Sequence, residues 1–542
     1  MKQPISRIFI AATVWVFVIG FAVSRVVFAP DLAADETGSG AALDEMLAHV
    51  AQLAKETHPV GSAAHDVVGE YIAGQIAELG LPVNIQEVPV AQLTGEPRWA
   101  EGEAVTNILT RVPGNGEGRA VMITAHYDSV PGSLGAADDG ASVAAMLTVL
   151  GNITDGTFRN DVIFMFSDGE EPCLCGARAF VTGHAWAEDV GMVINFEARG
   201  TAGPSLMFET SAGNGVLVRQ FASAAVHPVT SSLYYEIYKI LPNNTDLTVY
   251  KVAEIPGMNF AFVDGFGNYH TQNDNLANLD RNSLLHHYTN METMLRQFAD
   301  TDLDTLVADD VVFFDVLSLF VVSYSYALAG LGLVVCAALF ALLLVAEIKH
   351  GRRDKSMKMF AMFVILLTFY AATAWVLAYF NTLNIPAGQI GDFSDSSGKL
   401  HLLLFAMINA VVFVLALHYA GRFFARFEIV VPILALWLIV LIGIFIRMPG
   451  ASYILMLPLL FMLLGIHFEK YCADRHLSSG LRLAGSIVFP LPLLIIWSQL
   501  VYAILLALTL QASLVISVLT LFALSLLAFY LLPEKRKGKH VI

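Results

Sequence analysis

The chain has 542 residues, 56% of them hydrophobic and only 14% charged. Soluble domains are about a quarter charged, so a large part of this chain is suited to an apolar surrounding. Residues 30–310 hold 38 acidic and 12 basic residues, whereas the remainder holds 9 acidic and 19 basic. An acidic block beside a basic apolar block argues against nucleic acid as a partner. The four cysteines, Cys173, Cys175, Cys336 and Cys472, are too few and too scattered for a disulfide framework or a cysteine-rich zinc module.

The N-terminus carries Lys2 and Arg7, then an apolar run from about Ile8 to Ala29. That run is long for a signal-peptide core and has no sharp cleavage site. Residues 1–29 therefore read as an uncleaved signal anchor. Residues 30–310 alternate short β-rich runs with helical patterns. Val121–Ala125, Val162–Ser167, Met192–Phe196 and Leu206–Glu209 are short, apolar and partly β-branched, as buried strands are. Helical periodicity marks Ala141–Leu150, Ala177–Gly183, Gly215–Ala225 and Arg281–Ala299. The series predicts an α/β domain with a mostly parallel central sheet flanked by helices.

Residues 311–542 predict an all-α transmembrane domain of about seven helices. Candidate spans lie near 326–346, 358–380, 400–419, 428–446, 450–466, 484–508 and 512–532. Each is close to the roughly 17–25 residues that a bilayer needs. Val311–Ser325 is apolar but contains Asp315 and several hydroxyls, which suggests an interfacial helix. With the N-terminus in the cytoplasm, the basic clusters around Lys349–Lys355, Arg422–Arg426, Lys470–Arg482 and Lys535–Lys539 all fall on one side. The positive-inside rule then predicts an integral, multi-pass protein whose residues 30–310 are non-cytoplasmic.

Within that block, several short segments place chemistry at strand ends. His126-Tyr127-Asp128 follows the first strand, and a nearby carboxylate can orient an imidazole. Gly135-Ala136-Ala137-Asp138-Asp139-Gly140 leads into a helix, where paired aspartates could simply cap it. Ser167-Asp168-Gly169-Glu170-Glu171 is harder to dismiss. Adjacent glutamates after a buried strand repel unless a cation holds them. Asn195-Phe196-Glu197 ends a third strand, and Tyr269-His270-Thr271 lies in a polar loop before the last helix. Open α/β sheets carry their sites at the carboxyl ends of strands, and mixed His and carboxylate ligands suit zinc.

The ordered set His-x-Asp, Gly-Ala-x-Asp-Asp, Asp-Gly-Glu-Glu, Asn-Phe-Glu and Tyr-His-Thr resembles the co-catalytic two-zinc aminopeptidases. It is most similar to their membrane-spanning branch, the endoplasmic-reticulum metallopeptidases and vacuolar membrane proteases. His58-Pro59-Val60-Gly61-Ser62 and Phe313-Phe314-Asp315 also look like that branch. The resemblance covers about residues 45–300, and the later spans only in layout. It implies a zinc-aminopeptidase or phosphorylase-like sheet, two Zn2+ ions and peptide substrates. By it, Asp138 bridges both zincs, with a cis peptide to Asp139. His126 and Glu197 complete one zinc, and Glu171 and His270 the other. Glu170 is the general base and acid, Asp128 orients His126, and Tyr269 hydrogen-bonds the developing oxyanion. Glu197 stands where secreted members often have Asp, as expected for the membrane branch.

Three other readings compete: a glutaminyl cyclase with one zinc, a non-catalytic membrane scaffold of the same fold, and a transporter. A complete five-ligand set argues against the first two. The near absence of charge inside the spans argues against the third. Cys173 and Cys175 are expected to be two small buried thiols, because a bridge across two residues should be strained. His184, His227, His286 and His287 are expected to be surface or helix residues. Asn152 and Asn243 lie in glycosylation sequons. Besides peptides, the expected partner is membrane lipid. The compact C-terminal region favours a bacterial inner membrane with the site facing the periplasm. In a eukaryote the same layout implies an endoplasmic-reticulum or vacuolar membrane.

Overall fold

The computed structural model describes residues 3–32, 39–93, 104–116, 119–153, 158–240, 243–349, 355–366, 368–369, 396–508 and 513–532. The chain divides into two units, Arg25–Ser325 and Met1–Ser24 with Tyr326–Ile542.

After an N-terminal helix α1 (Gln3–Val27), the first unit runs α2 (Ser39–Leu53), α3 (Ala63–Glu78), β1 (Asn84–Pro89), β2 (Ala104–Val112) and β3 (Ala120–His126). It continues α4 (Gly140–Asn152), β4 (Asp161–Ser167), a single turn α5 (Glu170–Cys173), α6 (Cys175–Gly183), β5 (Val190–Ala198) and β6 (Leu206–Thr210). Then come α7 (Gly215–Ala224), α8 (Ser232–Tyr238), α9 (Asp246–Val252), β7 (Gly257–Phe262) and α10 (Arg281–Ala299).

The seven strands form one sheet in the order β1-β2-β4-β3-β5-β7-β6. Its centre, β4-β3-β5-β7, is parallel. The outer strands β1, β2 and β6 join antiparallel. The sheet is thus mixed, with the expected parallel character confined to its middle. The reason is burial. Helices cover both faces of the centre, so β3 and β5 have every residue buried and are mostly apolar. The edge strand β1 alternates half-buried and exposed residues and needs no cover. On one face, Met46 and Val50 of α2, most of α4, and Met291, Leu295 and Phe298 of α10 pack into the larger core. On the other, Phe180 of α6 and Leu247 and Tyr250 of α9 pack over Met122, Ile163 and Val193.

Val311–Ser325 is not an interfacial helix. It is an antiparallel hairpin, β8 (Val311–Val316) and β9 (Phe320–Ser325). Leu317 and Ser318 both have φ of 56°, as the two central residues of a type I′ turn require. The Asp315 carboxylate stabilises the hairpin by accepting from the Ser318 and Thr230 N–H groups. Here β-branched and aromatic propensity overrides what looked like a membrane-surface run.

Among the described residues, five helical segments are long and apolar enough to cross a membrane: Ile8–Arg25, Tyr326–Lys349, Arg426–Arg447, Pro449–Asp474 and Ser479–Val501. The chain is a membrane protein. The expected span 484–508 is split, because one helix ends at Val488 and the next starts at Leu491, across Phe489-Pro490. The span expected at 400–419 lies inside the helix Ser396–Phe423. The stretch 512–532 forms two shorter helices, Ser513–Ser525 and Ala528–Leu531. Most of 358–380 falls outside the described residues.

Candidate metal centre

Three parallel strands finish side by side and deliver the site. β3 ends on His126, level with Ser167 at the end of β4, and β5 carries Glu197 one residue before its own end. The β4 chain then turns sharply. Gly169 has φ of 69°, which a side chain would strain, and an added Cβ would approach Val105 to 2.8 Å. That turn starts the short helix α5, whose first two residues are Glu170 and Glu171. After β3, Asp138 and Asp139 are joined by a cis peptide bond and lead straight into α4.

Asp138 lies between two histidines. Its Oδ1 is 3.3 Å from His126 Nε2, and its Oδ2 is 3.1 Å from His270 Nε2. Glu197 Oε2 lies 3.7 Å from His126 Nε2, and Glu171 Oε1 lies 3.2 Å from His270 Nε2. The structure therefore brings His126, Asp138, Glu171, Glu197 and His270 together. The ligand atoms of His126, Asp138 and Glu171, and those of His126, Asp139 and Glu197, each fall within 4.8 Å of one another. Asp139, expected from the sequence as a helix cap or as the cis neighbour of Asp138, is thereby also a candidate ligand. It is buried, and neither of its carboxylate oxygens is hydrogen-bonded.

His126 shows what the cluster lacks. Its Nδ1 lies 2.9 Å from the Asp128 backbone carbonyl, which can only accept. Nδ1 therefore carries the proton, and the Nε2 lone pair faces carboxylate oxygens of Asp138 and Glu197. Lone pairs do not face carboxylates across 3.3–3.7 Å without a proton or cation between them. Asp128 thus orients His126 through its main-chain carbonyl, with its carboxylate Oδ1 3.4 Å from the same Nδ1. That carboxylate also accepts the N–H groups of Glu170 at 3.1 Å and Glu171 at 3.3 Å, fixing the start of α5.

The electrostatics point the same way. Burial raises Glu170 well above the usual carboxylate range, and the neighbouring Glu197 and Glu171 add to it. Burial, then Asp138, pushes Glu171 up to about 7, and burial lifts Glu197 to about 8. Burial alone would raise Asp138 too, but with no cation bound a protonated His126 and His270 hydrogen-bond it and hold it down to about 2. Burial opposes charge on His270, yet the same pair of carboxylates, Asp138 and Glu171, raises it to about 9. Too many buried carboxylates face too few positive groups, which is the electrostatic setting of a cation site. Both the donor set and the Asp139 oxygens, buried without a hydrogen bond, fit a metal.

Other residues hold this geometry. Tyr269 stacks on His270 with ring centroids 3.7 Å apart, and burial keeps its phenol protonated, with Asp138 and Glu171 adding to the effect. Asp274 accepts from the N–H groups of Ala137 at 2.7 Å and Asp138 at 3.2 Å, so it fixes the aspartate loop from across the site. Asp168 accepts from the Thr106 N–H at 2.7 Å and contacts His65 Nε2 at 2.8 Å, anchoring the base of the glutamate turn to α3. Neither Asp274 nor His65 was visible as a site residue in the sequence, because both contacts span long stretches of chain.

Cys173 and Cys175 are joined by a disulfide, not left as two thiols. Leu174 between them has φ of 54°, which bends the chain and brings their Cα atoms to 5.0 Å, inside the range that a disulfide spans. His286 and His287 lie on α10 as expected, but both are fully buried.

A mixed α/β sheet here gathers five metal-capable side chains around the carboxyl ends of its central strands, where open α/β sheets carry their sites. The model of peptidase family M28 matches residues 107–295 of this chain. The chain is 35% identical over 230 residues to endoplasmic reticulum metallopeptidase 1 of Homo sapiens, covering 41% of this chain and 25% of that protein. It is 34% identical over 242 residues to a vacuolar membrane protease of Candida albicans, covering 44% of this chain and 28% of the other. The match thus spans about a quarter of the length of these relatives. A Zn-dependent exopeptidase from Parabacteroides distasonis aligns structurally with a TM-score of 0.38 and 22% identity, over 47% of this chain and 97% of that one.

Proposed function

We propose that this chain is a membrane-anchored zinc metallopeptidase that removes N-terminal residues from peptides, with its peptidase unit on the non-cytoplasmic side. The observation that carries the reading is Asp138, one carboxylate set between His126 and His270 with Glu197 and Glu171 flanking it. In this reading His126, Asp138 and Glu197 hold one zinc, and His270, Asp138 and Glu171 a second. Bound zinc supplies Lewis acidity, which brings the pKa of water near 7 and polarises a carbonyl.

The chain's own residues do the rest. Glu170 leads the α5 turn, and its raised pKa suits a group that takes a proton from water and gives it to a leaving amine. The Asp128 carboxylate keeps the Glu170 main chain in place while this happens. Tyr269, kept protonated by its surroundings, donates a hydrogen bond to oxygen charge developing on the substrate. His270 is held by its stack with Tyr269, so the two act as one rigid edge of the cleft. Peptide substrates and membrane lipid are the expected partners, and the acidic unit gives nucleic acid no footing.

Two measurements test this. The purified full chain should bind two zinc ions, and chelation should abolish release of N-terminal residues from peptides. One zinc per chain with cyclisation of N-terminal glutamine would make it a cyclase instead. Reporter fusions at Asp302 should read the non-cytoplasmic side and fusions at Arg352 the cytoplasm. A cytoplasmic reading at Asp302 would sink the topology.

A further inference from the structure

On the α9 side of the sheet, polar residues form a line that the peptidase reading does not use. Asn195 of β5 pairs with Asn259 of β7, and Asn259 pairs with Glu209 of β6, so the three side chains share one face in adjacent strands. All three are buried. Lys251 of α9, about a quarter exposed, makes an ion pair with Glu209 Oε1. Asn259 Nδ2 donates to Glu209 Oε2 at 3.2 Å and to Thr245 Oγ1 at 2.9 Å. Asn195 Nδ2 donates to Asn259 Oδ1 at 3.1 Å and to Glu197 Oε1 at 2.9 Å.

We propose that the line Lys251–Glu209–Asn259–Asn195 is a positioning relay that fixes Glu197 as a one-oxygen metal ligand, holding Oε1 back and presenting Oε2. The inference rests on the two-zinc reading of the site.

The polarity of the line has one solution. Glu209 is acceptor-only, so Asn259 must turn its amide nitrogen toward it and its oxygen toward Asn195. Asn195 must then offer nitrogen to Asn259, and the same nitrogen reaches Glu197 Oε1. A flip of either amide would set oxygen against oxygen in a dry interior. Asn195 Oδ1 is left without a hydrogen bond, so this orientation is kept at the expense of its own carbonyl. The ammonium of Lys251 anchors the far end, because an uncompensated Glu209 carboxylate would not stay charged at that depth.

The chemistry explains why such a device is needed here. A glutamate has one more rotatable bond than an aspartate, so its carboxylate can swing or chelate with both oxygens. Occupying Oε1 with an amide removes that freedom and leaves Oε2 as the oxygen nearest His126 Nε2.

The test is zinc affinity of the full chain in detergent, by competition with a chromophoric chelator, alongside the thermal midpoint of the metal-free protein. Asn259→Leu should weaken one of the two zincs by roughly 10–100-fold, the usual effect of losing a group that orients a ligand. Lys251→Met, at the exposed end, should weaken the same zinc by less, and Lys251→Arg should restore it. Wild-type affinity in Asn259→Leu or Lys251→Met overturns the relay, and a lowered metal-free midpoint beside it shows a purely structural line. If Asn259→Leu does not fold, the Lys251→Met and Lys251→Arg pair decides. A wild-type chain that takes up no zinc overturns the metal reading itself, and the relay with it.

Discussion

Two histidines of the unit Arg25–Ser325 are equally buried and face opposite surroundings. His287, on α10, meets Ser142 Oγ at 3.0 Å through Nε2 and Ser205 Oγ at 2.8 Å through Nδ1. Its neighbour His286 accepts from the Ser205 N–H and donates to the His227 carbonyl. Every ring nitrogen there has a neutral partner, and burial drives both groups down to about 3. His126 has one satisfied nitrogen and one aimed at carboxylates. Burial is therefore not the signal of a metal site. The signal is a buried ring nitrogen whose neighbours are acceptors only.

The largest effect that can break this contrast lies at the adjacent glutamates. Glu170→Gln should leave both zincs bound while turnover falls by roughly 10²–10⁴-fold, the usual share of general acid–base catalysis. Glu171→Gln should lose zinc as well as activity, since its Oε1 faces His270. Zinc content and single-turnover rates on both variants check this. Zinc lost from Glu170→Gln and kept in Glu171→Gln would reverse the assignment.

A smaller effect probes the α10 pair. The unfolded chain takes up protons at His286 and His287 below about pH 6.5, whereas the folded chain resists until about pH 3. Folding stability should therefore fall as pH drops through that window, by up to about 1.4 kcal/mol per pH unit per histidine. His287→Gln keeps hydrogen bonding to the two serines but cannot titrate. The thermal midpoint of the metal-free variant should fall less between pH 6.5 and 4 than that of the parent. Equal slopes would show that His287 is not held neutral.

The sequence sets His126 apart by its strand end but does not show that His286 and His287 are buried, and the reason is physical. Periodicity and strand ends locate His126, Glu170, Glu171 and Glu197 at or just after the ends of buried strands, where the structure has them. β3, β4, β5 and β6 are also legible, to within two residues at their ends. Partners that arrive from far along the chain are not legible. Ser205 for His287, Asp274 for Asp138, and Lys251 for Glu209 are set by tertiary packing alone. β1 escaped because it is half exposed and rich in Gln and Glu, and β7 because Gly257, Met258 and Asn259 lack β propensity. The hairpin at Val311–Ser325 was misjudged because its turn uses Leu317 and Ser318 where Asn and Gly are the usual sign.

The small ring closed by Cys173 and Cys175 has a consequence of its own. It sits at the end of the turn that carries Glu170 and Glu171. Glutathione and thioredoxin keep cytosolic cysteines reduced, whereas secretory and periplasmic spaces let such bridges persist. A reductant that opened the ring would therefore free the end of the glutamate turn, next to Glu170 and Glu171. Cys336 and Cys472, buried among the apolar helices, remain thiols in the same chain.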